Sequence, residues 1–243
     1  MEQRNTKLEL DNAKGVMQFL KDPTVKIAEA ITGILASDQK DWKLSAGKLV
    51  QAAIKGVLIT EFGKQIIEYQ KKGRIKEDYF ATHKTRASLY ELLKFLDDEV
   101  PDEELFTAIK SIFFSGISKN ASRQDEALTY EFLQTAKKLT GTEILILRAN
   151  LDLVHGKKLE SITEEQIKNA RSDRAVWQRV IAWQMGYGNM FSIIAKYERN
   201  LESLGLISPR VDNPSFQSEF IPTKDLRLTE MGNKFCEYIS NYP

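Results

Sequence analysis

A single cysteine, two histidines, six prolines and almost no excess of either charge leave several chemistries with little to work with. Cys236 has no second cysteine to pair with, so an intramolecular disulfide is excluded. Met1-Glu2-Gln3-Arg4 leads into a polar stretch rather than a signal peptide, and a reducing, cytoplasmic setting is expected. The formal net charge of +1, from 35 basic and 34 acidic residues, gives the whole molecule no long-range pull toward nucleic acid or anionic lipid. Any such binding must come from a local patch. Apolar runs are short: the densest, Ile144-Leu145-Ile146-Leu147, stops at Arg148, far from the roughly 18–20 residues that a membrane span needs.

Catalytic patterns are also missing. Nucleophilic catalysis usually pairs a Ser, Cys or Thr with a histidine base, and only His83 and His155 could serve. His155 precedes Gly156 at an expected helix end, where a cation suits the helix dipole, so a structural role is preferred. Asp152 lies on the same helical face and could pair with it, but the two make too few ligands for a metal. His83 falls in a charged loop. The carboxylates around Pro101, Asp97-Asp98-Glu99 and Asp102-Glu103-Glu104, fit helix-end chemistry better than a glycosidase or two-metal site. There is no phosphate-binding glycine loop, CxxC or HExxH. The chain is therefore expected not to be an enzyme and to hold no metal or cofactor.

What is present is helix. The composition, 42% hydrophobic and 28% charged over 243 residues, allows a substantial core. Pro23 separates a polar helix over about 4–21 from one capped by Thr24 over about 25–36. A longer helix is expected from about 42 to 72, with Val50, Ala53, Val57, Leu58, Phe62 and Ile66 as its buried stripe. It also carries a seam of small residues, Ala46, Gly47, Ala52, Ala53 and Gly56. Each glycine disfavours helix by about 1 kcal/mol, a cost that close helix packing or a rearranging membrane surface would offset. Further helices follow over 85–99, then after Pro101 with Leu105, Ile109, Ile112, Phe113 and Ile117 inward, then after Ser122. Thr140-Gly-Thr-Glu143 is a capping box that favours helix over strand for the segment ending at His155-Gly156.

From about residue 159 the texture changes. Thr163-Glu-Glu-Gln166 opens a helix expected to reach about Met185, and another spans about 189–204. Short extended pieces are expected near 206–208 and 225–228, around a loop with Pro209, Pro214 and Pro222. Thr229 caps a last helix. Leu201, Leu204, Gly205, Leu206 and Ile207, followed by Leu228, Thr229 and Gly232, resemble the end of a winged-helix domain. In that family the recognition helix closes on leucine-glycine-leucine-isoleucine, a two-stranded wing follows, and leucine-threonine-x-x-glycine opens the last helix. The layout as a whole also resembles the abortive-infection alpha (Abi-alpha) group of bacterial proteins, which implies a role in defence against phage.

The expected fold is thus mainly α: a helical bundle over 1–158, then a winged-helix-like unit with a small two-stranded wing over 159–243. The boundary is soft enough for both to pack as one globule. The first functional expectation is a non-catalytic interaction or regulatory protein with a protein partner; homo-oligomers are compatible with it and a membrane role is disfavoured. The second is a DNA-binding regulator, with Lys196, Arg199 and Asn200 toward the duplex and Lys224 or Arg227 on the wing, and the third an enzyme on an unrecognised helical scaffold. Glu198 and Glu202 interrupt that helix, and ten basic against eleven acidic residues over 159–243 make a poor phosphate footprint. The densest positive stretch, Lys71, Lys72, Arg74, Lys76, Lys84 and Arg86, is read as a solvated helix end, with phosphate or acidic-partner contact as its functional alternative.

Overall fold

The computed structural model describes residues 42–76, 82–211 and 220–242. Among them the chain is mainly α, with these helices: α1 (Trp42–Lys71), α2 (His83–Asp98), α3 (Glu103–Gly116), α4 (Arg123–Ala136), α5 (Gly141–Val154), α6 (Glu164–Asn169), α7 (Arg174–Gln184), α8 (Ser192–Ser203) and α9 (Glu230–Ser240). The extended backbone described is confined to isolated antiparallel bridges: Ile75 with Ser118, Ile207 with Leu228, Arg210 with Phe220, and Asp225 with Leu228. The helices expected before residue 37, and the side chains at 46–53 of the small-residue seam, lie outside the described residues.

Two compact units are formed. The first comprises the described residues of Met1–Val100 together with Ile117–Ser122; the second is Pro101–Gly116 with Arg123–Pro243. In the first, α1 packs on α2. Phe62, Ile66 and Tyr69 are buried on one stripe of α1, and Leu89, Leu92, Phe95 and Leu96 are buried on α2. Val57, expected on that stripe, is instead 65% exposed. Five residues before Phe62, it lies about 140° around the helix at 100° per residue, so the burying face passes through position 58 instead. His83 was expected in a loop but is the first residue of α2, and it is exposed. The cap is Thr82, whose hydroxyl accepts from the Thr85 amide.

In the second unit α3 is the central element, packed by α4, α5 and α9. Nearly every residue from Leu105 to Gly116 is buried, because three neighbours cover most of its circumference. Its first turn is capped by Asp102, one carboxylate oxygen accepting from the Leu105 amide and the other from the Gly141 amide. Ile117, expected on the same face, lies just past the end of α3. Arg148, the residue that stops the apolar run in α5, bonds Glu104 at 2.6 Å and the Ile239 carbonyl at 3.1 Å. The continuous helix expected from Thr163 to about Met185 is broken into α6 and α7. Asp173 caps the second piece, its side chain accepting from the Val176 amide at 3.0 Å.

Candidate functional site

The residues that matter meet around α8, and the meeting starts with local chain chemistry. Gly205, at φ 68°, ends the helix in the left-handed region that glycine tolerates. The Leu206 amide returns to the Leu201 carbonyl at 3.0 Å and the Gly205 amide to that of Glu202 at 2.9 Å. This is a Schellman cap, with Leu201 and Leu206 buried together. The chain then runs beside residues 227–229: Ser208 N–H donates to the Arg227 carbonyl at 2.8 Å, and Thr229 N–H to that of Leu206 at 3.2 Å. The Thr229 hydroxyl donates to the Gly205 carbonyl at 2.6 Å and accepts from the Gly232 amide at 2.9 Å. Gly232 has to be glycine here, because a Cβ would stand 1.9 Å from the Leu206 carbonyl oxygen. Leu-Gly-Leu-Ile and Leu-Thr-x-x-Gly are thus the two sides of one seam.

That seam carries a backbone conformation that is costly for ordinary residues. Leu226 and Arg227 are non-glycine residues with positive φ, 48° and 78°. The conformation is held from several sides. The Asn150 amide donates to the Leu226 carbonyl at 2.8 Å, and its own oxygen accepts from the Trp177 indole at 3.3 Å. Turned this way, Arg227 points inward. Expected on the wing toward a partner, it is fully buried instead.

The Arg227 guanidinium lies between the rings of Trp177 and Phe220, 4.7 and 4.5 Å from their centroids. It donates to Glu198, to Glu202 at 2.6 Å, and to the Ser208 carbonyl at 3.0 and 3.2 Å. Glu198 is itself fully buried. It also accepts from Arg174 at 2.8 to 3.0 Å and from the Gln178 amide at 2.9 Å. Glu202 takes a further bond from Arg210 at 3.1 Å. Burial alone would raise the Glu198 pKa; the bonds from Arg174 and Arg227 outweigh it and hold the carboxyl below its ordinary range. Burial pulls Arg227 down from its ordinary value, against the opposing pull of Glu198 and Glu202. The network joins α7, α8 and both sides of the seam. It is a structural clamp.

The other predicted contact residues divide. The Asn200 amide donates to the Glu143 carboxylate at 2.8 Å and to the Lys138 carbonyl at 2.9 Å, fastening α8 to the capped start of α5. Lys196, Arg199 and Lys224 are exposed. On α8 the positions 192, 196, 199 and 203 form one outward row of Ser, Lys, Arg and Ser, all exposed and free of acid. The carboxylates that seemed to interrupt this helix face the other way. Periodicity held that signal: Glu198 is four residues after Ile194 and three before Leu201, on the buried stripe.

In the first unit, Lys71, Lys72, Arg74, Lys84 and Arg86 are exposed and Lys76 is half-buried. Lys72 pairs with Glu68 at 2.5 Å, and Arg74 lies 4.6 Å from the Tyr69 ring centroid. His155 is the exposed C-cap of α5, and Asp152 pairs with Lys157 at 4.0 Å rather than with that imidazole. Cys236 is buried, with its thiol pKa pushed up by that burial. Among the described residues no cluster of His, Cys, Asp and Glu could hold a metal, and no helix is long and apolar enough to cross a membrane. No family model, no curated protein and no solved structure matches this chain.

Proposed function

We propose that this chain is a non-catalytic binding protein whose C-terminal part is a winged-helix-like unit, and that it works through contact with another protein. The paired segments around Ile207–Leu228 and Arg210–Phe220 would be the stem of its two-stranded wing. A part in cytoplasmic phage defence is the role that the Abi-alpha resemblance suggests. The observation that carries the contact reading is the surface at the turn between α7 and α8. Met190 and Phe191 are 55% and 41% exposed there, with Arg179 above the Phe191 ring at 6.0 Å from its centroid. Met, Phe and Arg are side chains enriched where proteins meet. A photocrosslinking residue at position 190 of the full chain, expressed in its native cell, tests this. Protein adducts that vanish in Phe191→Ser are expected; no protein adduct, or adducts indifferent to Phe191, would overturn it.

A second reading, duplex-DNA contact, is favoured by the outward row Ser192, Lys196, Arg199 and Ser203, which the inward turn of Glu198 and Glu202 leaves without acid. Duplex binding by the full chain that weakens steeply with salt and is lost in Arg199→Ala would put this reading first. No binding at low salt would remove it.

A further inference from the structure

We propose that the outward face of α1 is a docking surface for an anionic lipid membrane, which it meets without crossing. The near-zero charge of the whole chain is not spread evenly. Residues 42–76 carry eight Lys and Arg against two acidic residues, Glu61 and Glu68; Glu77 and Asp78 follow outside the described residues. Phe62, Ile66 and Tyr69 mark the buried stripe of α1. Opposite that stripe, at 100° per residue, Val57, Thr60, Lys64, Ile67 and Lys71 fall within an arc of about 80° that holds no acid. Val57 and Ile67 are 65% and 48% exposed, with Lys64 and Lys71 exposed between and beside them.

A distant segment adds to this surface. The antiparallel bridge between Ile75 and Ser118 sets Lys119 opposite Arg74, its amide donating to the Arg74 carbonyl at 2.9 Å, and both side chains are exposed. Like charges placed opposite one another repel, and a bound anion relieves that cost. Lys64, Lys71, Lys72, Arg74 and Lys119 together match the roughly 4–8 clustered cations that polybasic lipid recognition uses. Charge by itself suits a nucleic-acid strand equally, and the two aliphatic side chains decide between them. A phosphodiester backbone offers Val57 and Ile67 nothing. The boundary between headgroups and acyl chains takes them in, while the lysine stems reach back to the phosphates. Among the described residues no helix is long and apolar enough to cross a membrane, and a surface contact needs none.

The test is co-sedimentation of the full chain with phosphatidylcholine vesicles, with and without phosphatidylserine. The expected result is binding confined to the phosphatidylserine vesicles and weakened by salt. Lys64→Gln with Lys71→Gln should weaken it about tenfold or more, and Val57→Ser with Ile67→Ser about tenfold. Lys119→Gln, which leaves α1 untouched, should weaken it by a smaller factor. All five positions are exposed, and an unchanged unfolding midpoint would show that the variants fold. Equal binding to phosphatidylcholine alone, or binding to neither vesicle, would overturn the proposal. So would vesicle binding indifferent to both pairs of substitutions, which would place the contact elsewhere. Duplex binding that depends on the lysine pair and ignores the aliphatic pair, with no vesicle binding, would overturn it in favour of nucleic acid.

Discussion

Lys71, Lys72, Arg74, Lys84 and Arg86 lie on the surface of the first unit, whereas Arg227 of the second is sealed from water and Arg174 and Arg210 are largely drawn in beside it. Of the outer cations, Lys72 holds Glu68, one turn away. The inner ones join residues far apart in the chain: Glu198 of α8 receives Arg174 of α7 and Arg227 of the seam. The difference shows what burial demands of a charge. A solvated ammonium is served by water and contributes little wherever it points. A desolvated guanidinium persists only if its donors are met, and Arg227 meets them on two carboxylates and a carbonyl between two aromatic rings. Such a network is a poor source of net stability and a strong source of register, since few other arrangements satisfy it.

Arg227→Met should break the comparison most strongly. It leaves Glu198 buried with part of its compensation gone, and a loss of about 3–5 kcal/mol is expected from urea unfolding of the full chain. Pairing it with Glu198→Leu and Glu202→Leu should recover part of that loss, because the buried carboxylates are removed as well. If Arg227→Met alone were neutral, the clamp would not hold the fold. Gly232→Ala comes next. It drives a methyl group into the Leu206 carbonyl on which the seam depends, and a cost of about 2–3 kcal/mol should appear in the same measurement. Asn200→Ala should cost less, about 1–2 kcal/mol, by leaving the buried Glu143 carboxylate one donor short. If that substitution instead removed partner binding with stability intact, Asn200 would be a contact residue after all.

Acid sharpens the same contrast. Glu198 has its pKa held below the ordinary 4.5, the arginine bonds outweighing burial. A carboxyl depressed on folding contributes stability that is fully present above its unfolded value and is lost as pH falls through its folded one. The network should therefore weaken only below about pH 4.5, and Glu198→Gln should flatten the fall of the unfolding midpoint in that range. Salt should act the other way round, screening the outer cations and sparing the inner ones. An acid slope unchanged by Glu198→Gln would mean that other carboxyls govern acid unfolding.

Local chemistry was legible from sequence, and long-range pairing was not. Thr140, Thr163 and Thr229 each cap a helix as their spacing predicts, because a cap depends on residues within one turn. The break that Asp173 makes was missed because Ala170-Arg-Ser-Asp173 carries no proline or glycine to mark it. Arg227 was misplaced for a different reason. Its direction follows from two left-handed residues held by Asn150, 76 positions away, which no local pattern encodes. The buried side of α8 was within reach, since the Ile194, Glu198 and Leu201 spacing already names it.

The smallest effect is expected at the outer cations. Reversing Lys72 and Arg74 together to Glu removes the exposed bond to Glu68 and the contact of the exposed Arg74 with the ring of buried Tyr69. Exposed pairs of this kind contribute about 0–1 kcal/mol, so the unfolding midpoint of the full chain should move little. A large fall would mean that these cations are structural, and the contrast with Arg227 would collapse. The same variant also tests their other use. If the full chain binds duplex through this cluster, the double reversal should abolish binding, because each phosphate contact contributes a counterion-release term that a carboxylate inverts. Binding that survives with its salt slope unchanged would place the contact on the outward row of α8 instead, where Arg199→Ala is the decisive substitution.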